Sequence, residues 1–351
     1  VVIFVLVVAA ALLLPQLQVA RDPGCRGNTC RNNMRGLATA LSNYQVIHGQ
    51  YPGYLNALEL SDGKLYVDPQ TGAPTPVSWA VMILPDIDRG PLFDQWRLPT
   101  AKVKDNVYVR PQVYIDQFLC PSDPQASKLG TPISFVVNTG LPDAPAAVAD
   151  EHDTTRSIPR DWAANGMFFD HYSEHPLVQR DDRRRAPMVL MNDEKVRDPK
   201  SRTILLTENV DATNYTFDAA AQSADGWRAA EIETGCIWMP GTFEPSRGTP
   251  QMKPPIASLQ PNVGIGLGDR KSFSHTRPSS RHPQAVNVAF VEVNVAPLRD
   301  TISYFVYAKL MTSDDEQVRP AGVRPDATAI DAIDPQRHLR TYELKEGDIW
   351  P

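Results

Sequence analysis

Every side chain from Val1 to Leu14 is apolar (VVIFVLVVAAALLL), and the first charges along the chain are Arg21 and Asp22. A helix with no polar side does not lie on the surface of a soluble body. A membrane-spanning helix takes about 20 apolar residues, roughly 17 at the short end. Inside a bilayer the backbone is satisfied only within a helix or a closed barrel. The run therefore reads as the surviving part of a longer apolar segment. It predicts a membrane anchor that doubles as a packing stem, through Val1, Ile3, Phe4, Leu6, Leu12, Leu13, Leu14 and Leu17. Two other readings stay open: the h-region of a secretory signal, with Ala9-Ala10-Ala11 as small residues before a cleavage point, and a buried core helix.

The pattern changes after residue 30. In RNNMRGLATALSNYQVI, from Arg31 to Ile47, the residues Met34, Leu37, Ala38, Leu41 and Tyr44 recur at helical spacing, while Arg31, Asn32, Arg35, Thr39, Ser42 and Asn43 fall mostly off that stripe. An amphipathic helix follows, with Met34, Leu37, Leu41 and Tyr44 as the face that packs on a body. Its end is expected near His48-Gly49, with Pro52 beyond. Pro15 and Pro23-Gly24 predict kinks or a short break between the stem and this helix. From Pro52 to Asp269 short apolar runs alternate with Pro, Gly, Asp and Asn, the pattern of strands and loops. Near the end of that stretch Val286, Val288 and Phe290 alternate with Asn287 and Ala289, as in a half-buried strand. Val291, Val293 and Val295 then switch parity, which calls for a bulge or a turn near Val291.

Composition narrows this picture. The 351 residues suffice for one large or two ordinary domains, and 32 Pro with 20 Gly argue against an all-helical body. The net charge of −6, from 35 Lys+Arg against 41 Asp+Glu, gives no positive excess of the kind nucleic-acid binding needs. Four cysteines, Cys25, Cys30, Cys120 and Cys236, do not make a dense disulfide framework. In an oxidising compartment Cys25 is expected to pair with Cys30 and Cys120 with Cys236, against the alternative of four unpaired thiols.

Candidate chemistry is sparse. His171, Glu174 and His175 have the H-x-x-E-H spacing of one zinc metalloprotease class, but Pro176 disfavours helical geometry at His175, so a surface loop is the plainer reading. GIGLGD around Gly264, Gly266 and Gly268 lacks the strand and helix of a phosphate cradle. Asp181-Asp182 and Asp314-Asp315-Glu316 match no EF-hand loop and read as solvated surface, as does Arg180 to Arg185. No catalytic residue, cofactor or metal is expected.

Several short boxes occur in a fixed order. After the apolar stem and CRNNMRGLATALSNYQVIHGQYP come SWAVMILPDIDRGPLFDQW (Ser78 to Trp96), FLCPSDP (Phe118 to Pro124), SFVVNTG (Ser134 to Gly140) and NGMFFD (Asn165 to Asp170). DPKSRTILLTEN (Asp198 to Asn209) and SSRHPQAVNVAF (Ser279 to Phe290) complete the set. Together they resemble type IV pilin-like proteins, and more narrowly the pseudopilin-like family known as the domain of unknown function numbered fifteen fifty-nine. His282 and Asn287 belong to its S-x-H-P box. Gln284-Ala285 stand where that box has paired glycines, and Glu292-Val293-Asn294 where it has an Asp-Gly-Ser turn.

The resemblance implies an α+β fold: a long N-terminal α-helix packed on an antiparallel β-sheet with large loop-rich insertions. The chain then divides into a stem (1–24), an amphipathic continuation (25–50), a β-rich head (51–318) and a C-terminal tail (319–351) to which the resemblance does not extend. It also implies a structural subunit whose partners are copies of itself through the N-terminal helix, the membrane, and other pilus or secretion components. Such a subunit resides in the inner membrane before assembly, then at the cell surface or in an extracellular filament. An anchored binding module that forms no filament is the alternative, and a zinc-dependent hydrolase a remoter one.

Overall fold

The computed structural model describes residues 23–60, 62–67, 74–97, 103–104, 107–108, 111–123, 130–144, 148–149, 157–158, 160–173, 175–178, 187–216, 231–244, 249–262, 275–319, 339 and 342–350. The predicted stem residues from Val1 to Leu17, and Pro15 with them, lie outside these. So do Glu174, Asp181-Asp182, Arg180 to Arg185 and the GIGLGD segment. Among the described residues no helix is long and apolar enough to cross a membrane.

Helix α1, Pro23–His48, is one unbroken rod of 26 residues. Pro23 is the first described residue of this helix, so the break expected between it and the stem lies outside the described residues. At the far end Gly49, with φ +73°, turns the chain out of the helix as the sequence predicts. Met34, Leu37, Ala38 and Leu41 are fully buried and Tyr44 nearly so, while Val46 and Ile47 at the last turn are exposed. Gly36 lies where the helix meets the head, and a Cβ there would displace the flexible end of the Gln117 side chain, 2.7 Å away.

The helix lies along a five-stranded sheet, mainly over three of its strands. In chain order the strands are β1 (Phe135–Gly140), β2 (Ile204–Glu208), β3 (Gly235–Ile237), β4 (Ala285–Phe290) and β5 (Val295–Arg299). Their spatial order is β5-β4-β2-β1-β3. Three of the pairings are antiparallel, and β1 with β3 is parallel. Pro297 sits in edge strand β5, where a missing N–H costs no ladder bond on the open side. Strands β1 and β2 are buried along their whole length, so both faces of the sheet centre are covered.

Strand β4 departs from the half-buried pattern. Asn287 is buried as well as its apolar neighbours, because β4 is an interior strand and the Asn287 amide is matched to a buried carboxylate. The parity switch at Val291 is a bulge between Ala289 and Phe290 followed by a tight hairpin, in which Phe290 and Asn294 are hydrogen-bonded. Val293 holds φ +67° in that hairpin and Gln284 holds φ +56° just before β4. These are two positions where the resembled box carries glycine. The backbone keeps the left-handed turns, at about 1–2 kcal/mol for a residue with a Cβ.

The described residues 342–350 pack against helix α2 (Tyr304–Met311) and neighbouring parts of the head. Helix α2 is buried on every side, Lys309 included. The Lys309 ammonium pairs with Asp315 and donates to the carbonyls of Leu339 (2.6 Å) and Tyr342 (2.5 Å). Tyr342 packs edge-on against Phe305, Trp350 against Phe290, and Asp348 accepts from Thr249 (2.6 Å) and Tyr342 (3.0 Å). Asp314 and Asp315, read from sequence as solvated, are half-buried here: Asp314 reaches the Ala164 carbonyl through its N–H, and Asp315 pairs with Lys309 beside Tyr342. A long N-terminal helix laid on a mixed, mostly antiparallel sheet with loop-rich insertions is a pilin-like α+β architecture.

Candidate functional site at the helix-to-sheet junction

Four segments far apart in the chain meet where α1 crosses the sheet. Cys30, in the third turn of α1, is bonded to Cys120 across 90 residues, with the two Cα atoms 4.7 Å apart. Cys120 follows a 3-10 turn (Asp116–Phe118) whose carbonyls are tied to the helix. The Asn33 side-chain amide donates to Leu119 O (2.9 Å) and Asp116 O (3.2 Å). Glu208 ends β2, and His282 lies in the loop before β4, where its backbone N–H donates to Ser280 Oγ (2.9 Å).

His282 Nε2 is the common vertex of this group. It lies 3.4 Å from Cys120 Sγ and 3.1 Å from Glu208 Oε1. The Glu208 carboxylate is buried and also accepts from Asn287, through the backbone N–H (3.0 Å, on Oε2) and the side-chain amide (3.0 Å, on Oε1). Two donors from one β4 residue thus fix the plane of the carboxylate and aim Oε1 at the imidazole. Gly27, one turn before Cys30, faces the same ring: a Cβ there would lie 3.8 Å from His282 Cε1. The donor atoms of Cys30, Cys120, Glu208 and His282 all lie within 4.8 Å of one another.

The expected cysteine pairing is corrected by this geometry. Cys30 is joined to Cys120, so neither the Cys25–Cys30 nor the Cys120–Cys236 bridge forms. Cys236 is a buried thiol in β3, its pKa pushed up by burial alone. The side chain of Cys25 lies outside the described residues. Sequence spacing misled here because residues 25 and 30 share one helix, while the sheet brings Cys120 to that helix from 90 positions away. His282 and Asn287 do meet, and they meet on Glu208. Glu208 was not singled out from the sequence, although the TEN of its box stood in plain view.

The H-x-x-E-H segment does not form the helix its chemistry requires. His171 is buried, its Nε2 3.0 Å from Val189 O, and burial lowers its pKa to about 4, which keeps the ring neutral. His175 Nε2 lies 3.3 Å from Glu59, and its Nδ1 accepts from Leu177 N. Each imidazole has its own local partner.

A second polar cluster joins Tyr54, Asp143, Arg160 and Asp170. The Tyr54 hydroxyl donates to Asp143 (2.8 Å), and Arg160 lies 3.7 Å from Asp170. Burial, then the charge of Asp170, raises the Asp143 pKa to about 7. A third group sits by α2, in a cleft lined by Asp198, Arg202, Lys309, Asp315 and Tyr342. There burial, followed by the charge of Asp315, raises the Asp198 pKa to about 7. Sequence reading found neither cluster, since no spacing rule links residues 54, 143, 160 and 170.

The junction is set apart by its composition, because it gathers members of four of the ordered boxes: the helix, FLCPSDP, the TEN of β2 and the S-x-H-P segment. Comparison with curated proteins and with solved structures gives no match. Residues 18–303, which include all four segments, match the family described as "Protein of unknown function (DUF1559)". With most of the chain covered and a pilin-like helix and sheet beneath it, this protein belongs to the DUF1559 family.

Proposed function

We propose that the chain is a structural, pilin-like subunit, held in the inner membrane by the apolar segment around Val1 to Leu14 and able to assemble with copies of itself into a filament or secretion pseudopilus. The head then lies outside the cytoplasm, at the cell surface or in an extracellular fibre, and other pilus or secretion components are its further partners. The observation that carries this reading is helix α1. It is separated by eight residues from the apolar run Val1 to Leu14 in the sequence, and it is joined to the head by a buried stripe and a covalent bond. Within the described residues α1 is a 26-residue helix fixed to the sheet, a suitable support for contacts made by the segment before it. Apolar segments leaving lipid gain by burying against each other, through the same hydrophobic effect that stabilises cores.

The test is assembly. The full chain, reconstituted and imaged by electron microscopy, is expected to give regular fibres, and a chain lacking residues 1–24 to be a soluble monomer. Fibres that persist without the segment, or a full chain that stays monomeric under every assembly condition while anchored in vesicles, would overturn the reading. The latter outcome would favour an anchored binding module.

A further inference from the structure

We propose that Cys30, Cys120, Glu208 and His282 form a zinc site in the reduced protein, and that this site and the Cys30–Cys120 disulfide are alternative clamps at the same junction. The donor set is two thiolates, one imidazole and one carboxylate, all ligand types that Zn²⁺ takes in tetrahedral sites. Bond lengths of about 2.0–2.3 Å to such ligands put neighbouring donor atoms about 3.3–3.8 Å apart around a tetrahedral ion. The edges from His282 Nε2 to Cys120 Sγ and to Glu208 Oε1, 3.4 and 3.1 Å, are already close to that size. Of the other four edges, none longer than 4.8 Å, the one that must open is the edge between the sulfurs. A disulfide holds them at about 2 Å, too near for both to bind one ion, so oxidation and metal binding exclude each other.

The surroundings are those of a metal site. Ligating carboxylates and imidazoles are held by outer hydrogen bonds that fix their orientation. Here Asn287 grips Glu208 twice and Ser280 fixes the backbone of His282. Cys30, Cys120 and Glu208 are buried, whereas the His282 side chain keeps 13 % of its surface in contact with solvent and gives an ion its way in. A crosslink alone needs only the two cysteines. It does not require a buried carboxylate and an imidazole aimed at one of the sulfurs.

The exchange balances as follows. A dithiol reductant passes two electrons and two protons to the Cys30–Cys120 bond, leaving two thiols and the oxidised, cyclic disulfide of the reductant. Zn²⁺ then displaces the two thiol protons and binds both thiolates, Glu208 Oε1 and His282 Nε2, giving a unit of net charge −1. A disulfide oxidant reverses it, taking two electrons from the thiolates and releasing Zn²⁺. Either state closes the same loop between α1 and the head, so the junction stays clamped in reducing and in oxidising surroundings.

The experiment uses the full chain in detergent, reduced with a dithiol that is then removed under anaerobic conditions, beside the oxidised chain. Co²⁺ serves as the optical probe and Zn²⁺ is counted by elemental analysis. The reduced chain is expected to take one ion with thiolate-to-cobalt charge-transfer and tetrahedral d–d bands, and the oxidised chain none. His282→Ala keeps both cysteines, so its fold is checked in the oxidised form. Once reduced it should bind at least about 10-fold more weakly, the loss already produced by changes in a metal's outer shell. Glu208→Gln should weaken binding too, and Cys120→Ser, which leaves one thiolate, should lower the charge-transfer band to about half or less. The proposal is overturned by a reduced chain without that band, by equal binding in the oxidised form, or by affinity unchanged in His282→Ala. A reduced chain that unfolds and is not restored by Zn²⁺ overturns it as well.

Discussion

Removing the Cys30–Cys120 bond is the sharpest single perturbation of this fold. The paired change Cys30→Ala and Cys120→Ala deletes both sulfurs without burying a new polar group, since both side chains are almost wholly inaccessible. The bond closes a loop of 90 residues. The chain-entropy relation gives about 4.6 kcal/mol at 25 °C for a loop of that length. Small losses of buried surface add to this. Compensation comes from the Asn33 amide, which still ties the Leu119 and Asp116 carbonyls to α1 and keeps the folded junction in place. The expected loss is about 3–5 kcal/mol, measured as equilibrium urea unfolding of the oxidised chain in metal-free buffer. The slope against urea should also rise, because the uncrosslinked unfolded chain exposes more surface. A loss under about 1 kcal/mol, or an unchanged slope, would refute the view that this bond acts mainly by restricting the unfolded chain.

Other expectations follow from single residues. Leu37→Ala, at a fully buried stripe position, should cost about 2–5 kcal/mol in unfolding free energy. Val46→Ala, on the exposed last turn, should stay within about 0.5 kcal/mol. Gly166→Ala should destabilise by about 1–3 kcal/mol in thermal unfolding, since a Cβ there would lie 2.6 Å from the Gly140 backbone, with no flexible side chain to yield. The raised carboxylates set the pH dependence. Asp143 and Asp198 hold their protons to about pH 7 in the fold, whereas an unfolded Asp releases its proton near 3.9. The native state thus binds more protons between about pH 4 and 7, and stability falls as pH rises through that window, by up to about 1.4 kcal/mol per unit for each group. Asp198→Asn should flatten the curve measured by denaturant midpoint from pH 4 to 8; an unaltered slope would show that Asp198 does not hold its proton in the fold.

What the chain alone determined is what short-range periodicity and backbone chemistry control. The stripe from Met34 to Tyr44, the stop at His48-Gly49 and the parity switch near Val291 each follow from residues within a few positions of one another, and helical and strand geometry translate such spacings directly into faces. Ordered boxes along the chain also identified the family and, through it, the helix-on-sheet architecture. Only the tertiary structure decided which distant residues share a site. The Cys30–Cys120 bond, the Glu208 carboxylate between His282 and Asn287, and the buried acids around Tyr54 all join segments tens of residues apart. The packing of helix, loops and strands on one another, which no local pattern encodes, brings them together. The same holds for the burial of Asn287 and the docking of residues 342–350. Whether a polar residue faces water or a partner depends on what the rest of the chain lays over it, and burial without a partner is costly enough that the fold must supply one.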